Sequence, residues 1–71
     1  MNFQYNTVTV NGEVFNCHNK MSLYDFLIYL KFDINTIIIE YNQEIISLTN
    51  LHQTFLNHGD KLEVVTIVGG G

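Results

Sequence analysis

Apolar and polar positions alternate early in the chain. Residues 3–10 read as a strand, with Thr7, Val8, Thr9 and Val10 alternating polar and apolar. Asn11-Gly12 follows, a dipeptide that accepts positive φ at both positions and suits a type I′ hairpin turn. Residues 13–17 are then the returning strand, with Val14 and Phe15 as its apolar content. At Ser22 the period changes. Ser22 can cap a helix start, Asp25 sits where a carboxylate faces the helix dipole, and Leu23, Phe26, Leu27 and Leu30 fall at i, i+3, i+4 and i+7. This spacing predicts a helix ending near Phe32, with Tyr24, Ile28 and Lys31 off the apolar stripe. Residues 36–41 form the strongest strand signal, with Ile37, Ile38 and Ile39 consecutive, as in a central strand or one with an exposed apolar face. Asn42-Gln43 reads as a turn and residues 44–47 as a short strand. Residues 51–56 are too few for a stable helix and are expected as a turn of 3₁₀ or α type. His58-Gly59-Asp60 is a tight turn, and residues 61–68 are the last strand, with Leu62 and Val64 on one face and Val65 and Ile67 on the other. Gly69, Gly70 and Gly71 follow.

A hairpin, one helix and further strands make a two-layer α+β domain, a mixed sheet of 4–5 strands with one main helix packed on one face. The first and last strands are expected as parallel central neighbours. That arrangement resembles the β-grasp, or ubiquitin-like, fold; periodicity alone carries only the two-layer class. The domain is expected over residues 1–67, with a flexible glycine-rich tail over residues 68–71.

Composition narrows the function classes. A chain of 71 residues allows one small domain, too short for a large enclosed pocket with a full catalytic constellation. Apolar residues at 46% and charged residues at 14% argue against disorder. The 3 basic residues include no arginine and the net charge is -4, which argues against nucleic-acid binding. A single cysteine, Cys17, excludes an internal disulfide framework and a cysteine-cage zinc site. No apolar run approaches the ~18 residues of a membrane span, and the N-terminus lacks the pattern of a signal or transit peptide. The expectation is a soluble protein used where it is made, with no membrane partner. Frequent Asn and Ile fit an AT-rich coding genome.

The glycines are the most informative feature. Glycine costs entropy in a strand and adds no packing, so these residues do not stabilise the domain. Glycine-rich ends also occur as plain solvated chain ends. The mechanical reading is that residues 68–71, extended, reach about 13 Å and thread a narrow channel. They would place a terminal carboxylate, anionic at neutral pH, in another protein's active site. That carboxylate can attack the α-phosphate of ATP to give an acyl-adenylate and pyrophosphate. A sulfur donor can then displace AMP and leave a terminal thiocarboxylate.

The chain resembles the ThiS family, the ubiquitin-like sulfur carriers of thiamine biosynthesis. The resemblance rests on V-N-G-E at residues 10–13, S-L-Y-D-F-L at 22–27, I-I-I-E-Y-N-Q-E-I-I at 37–46 and H-G-D-K-L-E-V-V-T-I-V-G-G-G at 58–71. It spans nearly the whole chain, with residues 1–5 as a short extension. It implies that the protein is a carrier and not an enzyme. It implies that Gly71 is adenylated by a ThiF-like (E1-like) adenylyltransferase, which uses ATP and Mg, while the carrier binds no cofactor. It further implies that Gly71 travels as a thiocarboxylate, with sulfur from a donor such as a cysteine desulfurase, and that sulfur is delivered to thiazole synthase. The family's usual minimum is two glycines; with three here, Gly69 counts as linker or motif. The related alternatives are the small subunit of molybdopterin synthase, which shares fold, tail and adenylation, and a ubiquitin-like modifier or binding module. The expected compartment is the cytoplasm, or the plastid stroma if the gene is organelle-encoded.

Other candidates read as structural. Cys17 and His18 resemble a thiol and its base, but adjacent strand residues point to opposite faces. His18, His52 and His58 lack the close spacing of a zinc site, and Asp25, Asp33, Glu40 and Glu44 read as solvated charges. If Ile37, Ile39 and Tyr41 face the core, Ile38 faces out beside Val65 and Ile67. These residues, with Val68, are the expected partner-binding patch next to the tail. The acidic balance favours a basic partner surface.

Overall fold

Strands β1 (Tyr5–Val10) and β2 (Glu13–His18) form an antiparallel hairpin. In the computed structural model, which describes residues 5–67, Asn11 and Gly12 take φ of 51° and 85°, the signs a type I′ turn requires. Val8 and Val10 face inward, and Phe15 and Cys17 face the same side from β2. Val14 does not share that side with Phe15; it is 68% exposed, because neighbours in a strand alternate.

Helix α1 (Leu23–Tyr29) starts where the cap chemistry places it, with the Asp25 amide donating to Ser22 Oγ at 3.1 Å. It ends before the expected Phe32. Lys31 takes φ 69°, its N–H donates to the Ile28 carbonyl at 2.9 Å, and the Phe32 N–H donates to the Leu27 carbonyl at 3.0 Å. This is a Schellman closure with lysine in the position glycine usually holds, so composition gave no stop signal there. A 3₁₀ turn at Ile34–Thr36, absent from the sequence reading, follows. The Asp33 side chain accepts from the Asn35 amide at 3.1 Å, and the Asp33 carbonyl accepts from the Thr36 amide and hydroxyl, both at 2.9 Å.

Strands β3 (Ile37–Tyr41) and β4 (Glu44–Ile46) pair across a second turn, in which Asn42 and Gln43 take φ of 50° and 74°. A 3₁₀ helix at Leu48–Gln53 begins earlier than expected and buries Leu51. Strand β5 (Lys61–Thr66) closes the order β2-β1-β5-β3-β4. β5 runs parallel to β1 and antiparallel to β3, as the central position of the last strand requires. The expected strand reached further: Ile67 lies just past β5, and Val68 lies outside the described residues.

α1 packs on one face of this mixed sheet. Val8, Leu23, Phe26, Leu27, Ile39, Leu51, Leu56 and Leu62 are fully buried, each stabilising the fold by about 1.5–3 kcal/mol. Phe15 meets Phe26 edge to face at 6.3 Å. The helix start is tied to the loop before β5, since the Leu23 N–H donates to the Thr54 carbonyl at 2.7 Å. No helix among the described residues is long and apolar enough to cross a membrane.

Lys31→Gly tests the helix stop. Removing the left-handed strain exceeds the entropy lost to glycine, so urea unfolding should show a gain of about 0.5–1 kcal/mol.

Candidate functional site

β5 is held by more than ladder bonds. β1 stops at Val10, and the Asn11 side chain continues in its place: Val64 N–H donates to Asn11 Oδ1 at 2.8 Å and Asn11 Nδ2 donates to the Val64 carbonyl at 3.1 Å. The amide imitates a peptide group. On the other flank the Asn42 N–H donates to the Lys61 carbonyl at 2.8 Å, and Asn42 Oδ1 accepts from the Lys61 N–H at 2.9 Å. Each asparagine opens its turn, so one residue type supplies both the positive φ and the clamp.

The start of β5 is fixed by Asp60, a buried carboxylate. Its Oδ2 accepts from the Tyr41 hydroxyl at 2.5 Å and the Asn57 N–H at 2.7 Å, and its Oδ1 from Asn42 Nδ2 at 3.1 Å. These donors replace the water the carboxylate gives up on burial. The Tyr41 phenol is pushed up to about 12, first by burial and then by its hydrogen bond to Asp60 and that residue's charge. Gly59, at φ 88°, completes the turn, and the Thr9 N–H reaches the Asp60 carbonyl at 2.9 Å.

Past the far end of β5, the Ile67 N–H donates to the Thr36 carbonyl at 2.6 Å. The chain continues from there into Val68, Gly69, Gly70 and Gly71, which lie outside the described residues.

The sheet face opposite α1 carries the exposed side chains. Ile38 stands opposite Val65, and Glu40 stands between Glu63 on β5 and Ile45 on β4. Ile38 is 43% exposed, Val65 60%, Ile67 47% and Ile45 73%. Ile38, Val65 and Ile67 therefore face outward at the end of β5 that leads into residue 68. Glu63 and Ile45 were not singled out from the sequence. Alternation along each strand places Glu63 with Val65 and Glu40 with Ile38, and the cross-strand register supplies the rest.

The remaining candidates are separated. Cys17 is buried and its thiol is pushed up by that burial, whereas His18 is exposed and meets Tyr5 edge-on at 6.0 Å. His52 stacks on Tyr24 at 3.9 Å, and His58 Nδ1 accepts from the Thr7 N–H at 3.1 Å. Asp25 lies in the first turn of α1, Asp33 caps the 3₁₀ turn, and Glu40 and Glu44 are exposed. Among the described residues no group of three or more His, Cys, Asp or Glu is placed to hold a metal. An open cleft of about 390 Å³, lined by Tyr5, Asn6, Thr7 and His58, lies at the end of the sheet away from Ile67.

A five-stranded mixed sheet grasping one helix, with a central last strand running out beside an uncovered apolar face, defines a β-grasp domain. The chain belongs to the ThiS family, whose model matches residues 8–71; its members are small sulfur carriers that work with sulfur-transfer partners. The crystal structure of the thiamine biosynthesis protein ThiS from Geobacter metallireducens superposes with a TM-score of 0.79 at 25% identity, covering 92% of this chain and 99% of that one. The ycf40 proteins of Pyropia yezoensis and Porphyra purpurea are 46% and 43% identical over 65 residues, each match covering 92% of both chains. A thiazole synthase of Paramagnetospirillum magneticum is 36% identical over 64 residues, which is 90% of this chain and 20% of that protein.

Two variants test the frame of β5. Asn11→Gly keeps a turn-compatible residue but deletes the clamp, so equilibrium unfolding should show a loss of about 1–2 kcal/mol. A phenol held neutral by the fold keeps its proton where the unfolded chain begins to lose it, near pH 10. Stability should therefore be complete below pH 10 and fall as pH rises towards 12. In Tyr41→Phe that fall should flatten, and stability below pH 10 should drop by about 1–2 kcal/mol; denaturant titrations across this range check both.

Proposed function

We propose that this protein carries sulfur for thiazole formation in thiamine biosynthesis, with the Gly71 carboxylate as the carrying group. The observation that supports it most is the placement of the central strand. β5 is held between Asp60 and Ile67, beside an exposed apolar face made of Ile38, Val65 and Ile67, and the sequence continues through Val68 to the glycines. A partner that docks on that face lies within reach of residues 68–71, whose extended length is about 13 Å.

The chemistry belongs to the partner's site. The Gly71 carboxylate oxygen attacks the α-phosphorus of ATP in a ThiF-like, E1-like adenylyltransferase, releasing pyrophosphate and leaving an acyl-adenylate. ATP and Mg are that enzyme's reactants, and the carrier binds no cofactor of its own. A sulfur nucleophile, ultimately supplied by a donor such as a cysteine desulfurase, displaces AMP. Sulfide gives the thiocarboxylate at once, whereas a persulfide gives an acyl disulfide whose S–S bond a second thiol cleaves, releasing the thiocarboxylate and forming a disulfide with the donor's sulfur. Thiazole synthase then receives the sulfur. The carrier presents a reacting group and performs no catalysis. The stretch of thiazole synthase that resembles this chain supports the thiamine pathway, and relatives named ycf40, a plastid reading-frame designation, support the plastid stroma as its place.

Intact-mass measurement tests the reading. Incubation with ATP, Mg, the adenylyltransferase and a sulfur donor should add the mass difference of one oxygen replaced by one sulfur. The variant lacking Gly70 and Gly71 should fold with the same circular dichroism and gain nothing. Stable amide adducts to other proteins would instead make it a modifier. Binding to a molybdopterin synthase large subunit but not to thiazole synthase would move it to the other pathway.

A further inference from the structure

The uncovered sheet face contains an arrangement that works against the free protein. Glu40 on β3 and Glu63 on β5 occupy directly facing positions of an antiparallel pair, and both are exposed. Like charges at facing positions destabilise a sheet. Neither carboxylate has an ion-pair partner among the described residues, and Lys61, on the same face of β5, stands in the next row opposite Thr9.

The two carboxylates are framed by apolar side chains. Ile45 stands on the far side of Glu40, and Ile38 and Val65 form the adjoining row towards Ile67. Once a partner covers this row, water leaves and the paired negative charge strengthens any cation placed on it. A guanidinium suits the position better than an ammonium. It is planar, forks between carboxylate oxygens, and is weakly hydrated enough to lie on isoleucine and valine. The face adjoins Ile67, the last described residue before Val68 and the glycines, so a protein that takes them in has this face within reach.

Resting on the sulfur-carrier reading, we infer that Glu40 and Glu63 seat an arginine side chain of the adenylyltransferase, and that this contact, with Ile38 and Val65, aligns the carrier for entry of its tail. The like-charge pair is then a specificity device: it weakens the free carrier and is relieved only on a cationic docking surface.

The test is calorimetric binding of the full chain to the ThiF-like adenylyltransferase at several salt concentrations, with mass gain on activation read separately. Glu40→Gln and Glu63→Gln should each weaken binding about fivefold or more and flatten its salt dependence. Both should unfold thermally at the wild-type temperature or above it. Glu13→Gln, which removes the same charge from the start of β2, should bind as wild type does. Unchanged affinity in the Glu40 and Glu63 variants overturns the inference, and so does an equal loss in Glu13→Gln, which would reduce the effect to net charge. Failure of the wild-type chain to bind the adenylyltransferase also overturns it. A wild-type chain that binds with the expected salt and variant pattern but gains no sulfur leaves the docking inference standing and removes the sulfur-carrier reading.

Discussion

The structure depends on placing its last strand at the centre of its sheet. β5 pairs with β1 on one side and β3 on the other, so the end of the sequence joins the two hairpins into one sheet. The β1–β5 contact joins residues about 50 positions apart and closes the longest loop in the domain. Neither hairpin alone would be independently stable. The clamps follow from the same demand. β1 is too short to pair with all of β5, and Asn11 supplies the missing peptide-like group. β5 begins at a turn, where Asp60 gathers Tyr41, Asn42 and the Asn57 amide to hold its first residues. On the sulfur-carrier reading, a central strand followed through Ile67 and Val68 by glycines would separate two tasks, the folded body positioning and the glycines reaching.

The two faces of that sheet are under opposite constraints. On the helix side, Ile37, Ile39, Leu62 and Val64 are buried and answer to packing. On the other side, the same strands present Ile38, Glu40, Glu63 and Val65 to solvent, and none of the four is there for the core. An exposed apolar row beside a like-charge pair makes no sense as a solubility surface. On the docking inference above, it is half of an interface whose other half belongs to another molecule.

Much of this was legible in the residues. The Asn11-Gly12 turn, the Ser22 cap, the Leu23–Phe26–Leu27 stripe and the outward set of Ile38, Val65 and Ile67 all follow from local rules of period and turn chemistry. The misses share a cause. Lys31 ends α1 in a left-handed conformation that composition does not advertise, and the 3₁₀ turn at Ile34–Thr36 is built from a short Asp33–Thr36 network without apolar period. Asp60 looked like an ordinary turn residue because its donors come from Tyr41, Asn42 and Asn57, and only the folded chain brings the first two to it. The facing of Glu40 and Glu63 depends on the β3–β5 register, which no single strand contains. Local signals are read from one segment, whereas partnership across the sheet is a property of two.

On the proposed reading, that distinction also explains how so small a domain would serve a demanding reaction. In the proposed division of labour the nucleotide pocket, metal and dry cavity of an adenylation site belong to the partner. A carrier needs only a reacting group that its partner can take in, a rigid base that fixes where the group begins, and a surface that selects who receives it. On the sulfur-carrier reading, β5 would provide the base, the row from Ile45 through Glu40 and Glu63 to Val65 the surface, and the glycines a stretch without side chains to obstruct entry. In that division of labour specificity would lie on the sheet and reactivity on the backbone, so that a substitution on the sheet would change the partner without changing the chemistry.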